Sequence, residues 1–173
     1  MRPKKEDCPE YYIYYIGLIK QQDVVAALTE TKKEQLDFIK SIPADLENFA
    51  YADGKWTIKE VLIHCVDTER IFSTRALTFA RGDKQVPHSY DENLYGANSH
   101  AASRTLKDII EEFEAVRTGV ICLYRSFSAE ILNLAGQTPS GPATVNSIGF
   151  TICGHTAHHL NIIKERYLNA LKK

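Results

Sequence analysis

The sequence predicts an all-α protein, a four-helix bundle with long crossover loops. Apolar residues recur at steps of three and four along extended segments, and the alternation typical of half-buried strands is nearly absent. Four such segments are separated by connections of unequal length, and this favours crossovers over short hairpins. At 173 residues the chain is expected to form a single domain, 1–173, that can bury a core.

The first two predicted helices differ in how clearly their ends are marked. An interrupted apolar face covers Gln21–Ser41, and Pro43 stops it because proline cannot continue a helix. The second helix starts at the clearest signal in the chain, a T-x-x-E capping box made by Thr57 and Glu60. Its apolar stripe continues until the glycine turn at Gly82.

The other two long helices lie in the second half of the chain. The third is predicted to begin at about Thr105, with Asp108 as its capping partner, and to reach Tyr124. A short helical turn is expected at Ala129–Leu134, and the fourth helix is expected to cover Val145–Leu171. The bundle therefore consists of these four segments.

Two connecting stretches are predicted to be irregular. Residues 82–104 are rich in turn formers but carry Tyr90, Leu94 and Tyr95, which favour packing against the bundle. Residues 136–146 contain glycine and proline that interrupt regular structure. Loops of the first length are usually functional or disordered, and the aromatic residues favour an ordered, packed segment.

Composition excludes several classes of function. Lysine and arginine number 21 against 22 acidic residues, so the chain lacks the basic surface of a nucleic-acid-binding protein. The apolar run Tyr11–Ile19 is too short and too polar for a signal peptide or a membrane span. Four widely separated cysteines without a CxxC pair are typical of a reduced protein. We therefore expect a cytoplasmic protein without nucleic-acid or membrane partners.

The stretch GHTAHHLNIIKERY, near the C-terminal end, places histidines on the inward stripe of the fourth helix. His155 and His159 are four residues apart, so both imidazoles can reach one metal ion. The alternative is a pair of core or interface histidines whose nitrogens are hydrogen-bonded. His158 points about 100° away from His159; it is a competing partner for His155 or a surface group.

A third ligand is available on the second predicted helix. His64 lies on its inward side, and three neutral imidazoles would leave open positions for water or a substrate. Cys65 and Cys153 are rival ligands, but their helical positions point away from the neighbouring histidines, and this favours a packing role. His88 and His100 have no partner at a metal-ligand spacing and are expected at the surface.

Asp67 is the candidate for the catalytic carboxylate. It follows His64 by three residues, so it could act as a base that holds a metal-bound water. It could also orient a metal-bound histidine by accepting a hydrogen bond from the distal N–H of the imidazole. The alternative is a solvated carboxylate that pairs with Arg70 or Arg75. Sequence spacing alone leaves both roles open.

Several blocks of the sequence also resemble the DinB-like superfamily of four-helix proteins. The resemblance rests on four segments in the family's order, namely YADGKWTIKEVLIHCVDTERIFSTRALTFARGD (51–83), SYDENLY (89–95), EEFEAVR (111–117) and GHTAHHLNIIKERYL (154–168). It covers nearly the whole chain. The superfamily includes YfiT-type metal-dependent hydrolases and thiol S-transferases that use low-molecular-weight thiols.

The resemblance implies a specific bundle and a specific metal site. The helices would run up-down-down-up, and one divalent ion, nickel or zinc, would be held by His64, His155 and His159. It selects His159 over His158 as the ligand. A homodimer is a further expectation from the resemblance.

The implied activity is metal-dependent chemistry on a small molecule. An ion held by three neutral imidazoles keeps its charge and favours Lewis-acid chemistry, either hydrolysis or activation of a low-molecular-weight thiol for transfer. Tyr90, Asp91 and Glu92 would border the pocket; alternatively, they anchor a solvated loop. A different class of function, a non-catalytic or stress-associated metal-binding bundle, is the other hypothesis.

Overall fold

Long helices form the body of the structure, a computed structural model that describes residues 1–169. Seven α-helices occur in this range: α1 (Glu10–Gly17), α2 (Val24–Lys40), α3 (Ile58–Ala80), α4 (Glu92–Ala97), α5 (Leu106–Arg125), α6 (Ala129–Leu132) and α7 (Val145–Ile162). A π-helical segment, Ile163–Leu168, continues α7. Single 3-10 turns lie at Lys5–Asp7, Ala44–Leu46 and Ala101–Ser103.

Two apolar core clusters, one at each end of the bundle, reveal the direction of its helices. The first cluster unites the start of α2 and α7 with the end of α3 and α5, and it contains Leu28, Phe79, Tyr124 and Ile148. The second unites the opposite ends of the same helices through Leu36, Leu62, Phe113 and Leu160. Helices α2 and α7 therefore run one way and α3 and α5 the other. The predicted four-helix bundle with up-down-down-up order is confirmed.

The order of the helices around the bundle explains the long connections. Helix α3 packs against α5 and α7, and α2 packs against the same two helices. The consecutive helices α2 and α3 therefore occupy opposite corners, and so do α5 and α7. Each of these pairs needs a connection that crosses an end of the bundle. Helices α3 and α5 are neighbours that run the same way, so the connection between them must return along the length of the bundle. The crossovers expected from the two long segments, 82–104 and 136–146, are therefore those from α3 to α5 and from α5 to α7.

A buried polar layer separates the two core clusters. The guanidinium of Arg117 on α5, which is fully buried, donates to both carboxylate oxygens of Glu69 on α3 at 2.6 and 2.9 Å. It also donates to Thr31 Oγ1 at 3.2 Å and Gln35 Oε1 at 3.1 Å, both on α2. Gln35 Nε2 in turn donates to the carbonyl of Cys153 on α7 at 3.0 Å. This network connects all four bundle helices at mid-height.

The predicted helix starts at α3 and α5 are confirmed in atomic detail. Thr57 Oγ1 accepts from the Glu60 amide at 3.3 Å, and the Glu60 carboxylate accepts from the Thr57 amide at 2.6 Å. Thr105 and Asp108 exchange the same two hydrogen bonds at 3.1 Å each. Both capping boxes satisfy amides that would otherwise lack partners at a helix start.

The N-terminal helix α1 has no predicted boundaries, because its sequence lacks a capping side chain. It begins after Pro9, and its run of tyrosines and isoleucines leaves no polar face that would mark helical periodicity. Tyr12 and Ile16, one turn apart, are buried, and α1 packs along α7. The helix thus closes one side of the bundle near the histidine stretch.

The prediction of an irregular loop at 136–146 is wrong in part. Strands β1 (Ala135–Thr138) and β2 (Gly141–Thr144) form an antiparallel hairpin, with Ala135 opposite Thr144. Gly141 has φ +127°, a backbone conformation that favours glycine. Strands of four residues are too short to show a convincing alternation of apolar and polar residues.

The long stretch 82–104 contains ordered helical structure. Asp91 Oδ1 caps α4 by accepting from the amides of Asn93 and Leu94 at 2.9 and 3.1 Å. The packing expected of its aromatic residues holds for Tyr90, whose hydroxyl lies 2.6 Å from Thr68 Oγ1. Leu94 and Tyr95 are exposed instead.

The fourth predicted helix, Val145–Leu171, is confirmed over α7 and changes its winding afterwards. The π-helical turns begin at Ile163, which is fully buried. Leu171 lies outside the described residues. A spacing of three and four residues does not distinguish such turns from α-helix.

The structure bears on two expectations from composition, the state of the cysteines and the membrane-spanning segments. All four cysteines are free thiols, as expected for a reduced protein. Over residues 1–169, no helix combines the length and the apolar character needed to cross a membrane. The cytoplasmic location itself stays a prediction.

Gly154 allows α1 to approach α7 closely. A Cβ atom at this position would lie 2.0 Å from the carbonyl oxygen of Tyr15, far inside van der Waals contact. We expect Gly154→Ala to lower the free energy of unfolding by roughly 1–3 kcal/mol, because backbone must move to relieve the overlap. Urea denaturation followed by circular dichroism measures the change.

Gly119 on α5 is the matched control, since it is exposed and a Cβ there meets no atom within 4 Å. Gly119→Ala is expected to stabilise the protein by roughly 0.5–1 kcal/mol, because alanine is the better helix former. Equal stability of Gly154→Ala and the unchanged protein would contradict the close helix approach.

Candidate metal centre

Three histidine side chains from two helices converge in the bundle. His64 Nε2 on α3 lies 3.2 Å from His155 Nε2 on α7, and His159 Nε2 lies 3.2 Å from the same atom. One ring nitrogen of each residue falls within 4.8 Å of the other two. The structure therefore brings together the three residues that spacing and family resemblance selected.

Protons alone cannot satisfy this arrangement of nitrogens. A neutral imidazole nitrogen either carries one proton or presents one lone pair. His155 Nε2 faces two other nitrogens at 3.2 Å, so it can make a proper hydrogen bond to only one of them in a given tautomer. A cation would be bound by the lone pairs of all three. In the alternative, hydrogen-bonded core histidines, a proton would satisfy one of the two contacts.

The spacing of the donors fits a small divalent ion. Zinc binds imidazole nitrogen at about 2.0–2.1 Å, so two donors at tetrahedral angles lie about 3.3–3.4 Å apart. The two measured separations of 3.2 Å are close to this value. The donor set and its geometry therefore suit a metal ion without large movement of the helices.

Burial keeps all three imidazoles neutral, which is the form that binds a metal. Loss of solvent lowers the pKa of His64 to about 4. Burial, followed by the nearby His64 and His158, lowers the pKa of His159 to about 3. Burial and the neighbouring histidines hold the pKa of His155 well below its usual range. Near neutral pH no proton has to leave before an ion binds.

Aromatic rings surround the three histidines. The ring of Trp56 lies 5.0 Å from that of His64, and the ring of Tyr15 lies 5.5 Å from that of His155. The ring of Phe72, about two turns after His64 on α3, lies 6.4 Å from that of His155. These rings limit the access of water to the nitrogens and lower the local dielectric constant.

Two separate cavities reach the histidine cluster. One, of about 210 Å³, ends at His155 and is lined by residues of α1, α3, the 82–104 stretch and the hairpin. The other, of about 250 Å³, ends at His159 and is lined by residues including Tyr51, Trp56 and Arg166. The cluster is thus accessible from two directions.

Asp67 occupies a different environment from the histidine cluster. Its carboxylate lies 3.7 Å from the Arg70 guanidinium. It borders a third cavity with Ile63 and Arg104, and it does not belong to the three-histidine group. Burial raises the pKa of Asp67, and Arg70 opposes the rise. These contacts agree with the alternative hypothesis, in which Asp67 pairs with Arg70. A role of Asp67 as a catalytic base stays a prediction.

The two rival thiols pack in the core, as their helical positions predict. Cys65 and Cys153 are buried, and burial raises the pKa of both, that of Cys153 to about 11. Such thiols stay protonated at neutral pH and are poor metal ligands. Over residues 1–169, no cysteine joins a metal-ligand group of three or more side chains.

The remaining histidines lie outside the cluster. His158 Nδ1 lies 3.1 Å from the Tyr14 hydroxyl on α1, with the two rings edge to face. His88 and His100 are exposed, as predicted. The geometry therefore agrees with the selection of His159 over its neighbour.

Residues 90–92 were predicted either to border the pocket or to anchor a loop, and the structure shows both roles. Tyr90 and Glu92 border the cavity that ends at His155, as expected for pocket residues. Asp91 caps α4 and has a structural task. The three residues have different roles because they lie at the start of α4, where adjacent side chains point in different directions.

A comparison of the sequence against known families identifies the superfamily of the chain. A sequence model described as the DinB superfamily matches residues 22–163, most of the chain. This chain belongs to the DinB superfamily. No curated protein sequence gives a significant match to it.

Two solved structures share the fold of this DinB-superfamily chain. YfiT from Bacillus subtilis, described as a probable metal-dependent hydrolase with an unusual four-helix bundle topology, matches with a TM-score of 0.75 and 15% identity over 98% of this chain and 93% of its own. A mycothiol-dependent maleylpyruvate isomerase matches with a TM-score of 0.67 and 9% identity over 80% of this chain and 58% of its own. At these identities the matches show the common fold.

Sequence reasoning missed parts of the surroundings of the DinB-superfamily site. Tyr11 and Tyr15 on α1 line the cavity at His155, but the sequence does not mark the ends of a helix there. Arg75 lines the same cavity, whereas its spacing indicates only a partner for Asp67. A signal existed for Arg75, because it lies three residues after Phe72 and therefore within the buried stripe of α3.

Proposed function

We propose that this DinB-superfamily protein is a divalent-metal-dependent enzyme that acts on a small molecule. The observation that carries the proposal is the convergence of three neutral imidazoles, two buried and one half-buried, whose nitrogens are 3.2 Å apart in two of the three pairs. His64, His155 and His159 are the proposed ligands. Three protein ligands leave coordination positions for a substrate, as in catalytic sites of this type.

Zinc and nickel are the proposed ions, since imidazole suits both. When bound, such an ion supplies Lewis acidity to a group that approaches it from either cavity. The chain itself contributes neutral ligands and aromatic walls that restrict water. The hydroxyl pair of Thr68 and Tyr90, 2.6 Å apart, offers a donor and an acceptor to a polar substrate group in the cavity at His155.

Hydrolysis and transfer of a low-molecular-weight thiol are the two candidate reactions. The two cavities at His155 and His159 favour thiol transfer, because that reaction must bring two molecules to one ion. Hydrolysis needs only one substrate cavity besides water. Among proteins of this fold, one is named a probable metal-dependent hydrolase and another is named a mycothiol-dependent isomerase.

A non-catalytic metal-binding bundle is the competing proposal. A purely structural site would be closed by four protein ligands. Over the described residues the cluster offers three, and both cavities lead to it. These features favour the enzyme.

A paired activity assay tests the proposed function. Protein loaded with zinc or with nickel is incubated with nitrophenyl esters, and separately with cysteine or glutathione and an electrophilic bimane. We expect turnover in at least one assay, lost in His159→Ala and kept in His158→Ala. Metal binding without turnover in either assay would favour the non-catalytic bundle, and equal turnover in His159→Ala would contradict a metal-dependent reaction.

A further inference from the structure

Arg75 on α3 is a buried cation without a counter-ion. Its side chain is 6% exposed, and its Nη2 donates to the backbone carbonyl of His88 at 3.1 Å. Its Nε is buried and has no hydrogen-bond partner. Among the residues that the structure describes, no carboxylate lies within ion-pair distance of its guanidinium. This differs from Arg117, the other buried arginine, which binds Glu69 through two hydrogen bonds.

The surroundings of Arg75 do not compensate for the missing anion. The guanidinium carbon lies 5.1 Å from the centre of the Phe72 ring, a contact that attracts the cation but accepts no N–H in a normal hydrogen bond. The fully buried hydroxyl of Tyr12 also has no partner. Burial raises the pKa of Tyr12, and the nearby charge of Arg75 opposes the rise. Unpaired buried polar groups are costly, and a neutral hydroxyl does not replace the missing anion.

The cavity beside Arg75 leads to the proposed metal ligands. Arg75 and His155 both line the space of about 210 Å³, and the aromatic side chains of Tyr15, Phe72 and Tyr90 form much of its wall. A molecule that fills this cavity would contact both Arg75 and His155. Flat apolar walls suit a planar or apolar body between the two ends.

We propose that Arg75 binds the carboxylate of a small, singly charged substrate whose apolar body lies between the aromatic rings. The guanidinium fork matches a carboxylate, and the ligand would supply the missing acceptor. Among residues 1–169, Arg75 is the single arginine or lysine in the cavity wall, and Glu92 lies in the same wall. One cation opposed by one acid favours a monoanion over a phosphate dianion. This assignment rests on the proposed function and names the substrate class of that site.

Calorimetric titration with benzoate and with benzamide tests the assignment, since the two probes share a ring but differ in charge. We expect benzoate to bind the protein more tightly than benzamide. Arg75→Gln should weaken benzoate binding by roughly 10- to 100-fold, the effect of losing a hydrogen bond to a charged group. Benzamide binding should stay unchanged. Arg75→Lys should retain part of the preference for benzoate.

Arg81→Gln is the matched control, because Arg81 is exposed at the end of the same helix and carries the same charge. It should bind benzoate like the unchanged protein. Circular dichroism verifies that each variant is folded. Equal benzoate affinity in Arg75→Gln, no benzoate binding at millimolar concentration, or an Arg75-dependent preference for inorganic phosphate would each overturn the assignment.

Titrations of chelator-treated and zinc-loaded protein separate this assignment from the proposed function. Benzoate binding that depends on zinc and not on Arg75 would place the carboxylate at the ion and overturn the assignment. Benzoate binding that depends on Arg75 in protein unable to take up zinc or nickel would support the assignment, while the metal-dependent function would fail.

Discussion

His159→Ala is expected to abolish the binding of about one divalent ion per chain. The variant leaves two imidazoles on the two helices, and two neutral donors do not hold a zinc or nickel ion against a chelator of moderate strength. His64→Ala and His155→Ala are expected to behave in the same way, because each removes one of the converging nitrogens. Elemental analysis after equilibrium dialysis against a limiting metal concentration measures the bound ion.

His158→Ala is the matched control for this series. The side chain is adjacent in sequence and contacts Tyr14, but its ring lies outside the converging group. Its metal content should equal that of the unchanged protein. If His159→Ala kept its metal, or His158→Ala lost it, the ligand set would be wrong.

Arg117→Met is expected to reduce the free energy of unfolding by about 3–5 kcal/mol, because it leaves the Glu69 carboxylate buried without its cation. It also removes the donors to Thr31 and Gln35, which lie on a third helix. The loss is a large fraction of the stability of a domain of this size. Urea denaturation of chelator-treated protein measures it without a contribution from bound metal.

The double variant Glu69→Leu, Arg117→Met distinguishes charge burial from simple loss of packing. Removing both charges avoids the unpaired carboxylate, so the double variant should be more stable than Arg117→Met alone. If Arg117→Met lowered the free energy of unfolding by less than about 1 kcal/mol, the Glu69 carboxylate would have found another partner or water. That result would contradict the closed network.

The sequence predicted the bundle well because its strongest signals are local. The capping boxes at Thr57 and Thr105 depend on residues three apart, and both helices begin where these signals placed them. The end of α2 at Lys40 agrees with the proline stop. The hairpin at Ala135–Thr144 depends on pairing between two short strands, which leaves little periodicity to detect.

The histidine cluster could be predicted only in part from local spacing. The phase of α7 placed His155 and His159 on one face, but it could not show which residue of another helix completes the group. Helical position offered His64 as a candidate and family resemblance selected it; the structure brings its Nε2 to 3.2 Å from His155 Nε2. Asp67 shows the limit of spacing: residues three apart share a helix face, yet His64 joins the histidine cluster whereas Asp67 borders a separate cavity.

Buried charges form the part of the structure that sequence reasoning missed. Glu69, Arg75 and Arg117 each lie within the apolar stripe of a helix, although charged residues are usually placed on the solvent side. Their positions in the apolar stripes can be read from the sequence. Which of them pair and which line a cavity depends on helix order, because Arg117 meets Glu69 across the α3 and α5 contact.

X-ray absorption spectroscopy of zinc-loaded protein tests the central claim, that His64, His155 and His159 together bind one divalent ion, most directly. The account predicts about one zinc per chain, the scattering pattern of three imidazole rings at about 2.0–2.1 Å, and light-atom ligands in the open positions. A sulfur shell at about 2.3 Å would instead assign the ion to a cysteine. That result, fewer than three imidazoles, or failure to retain zinc would contradict the claim.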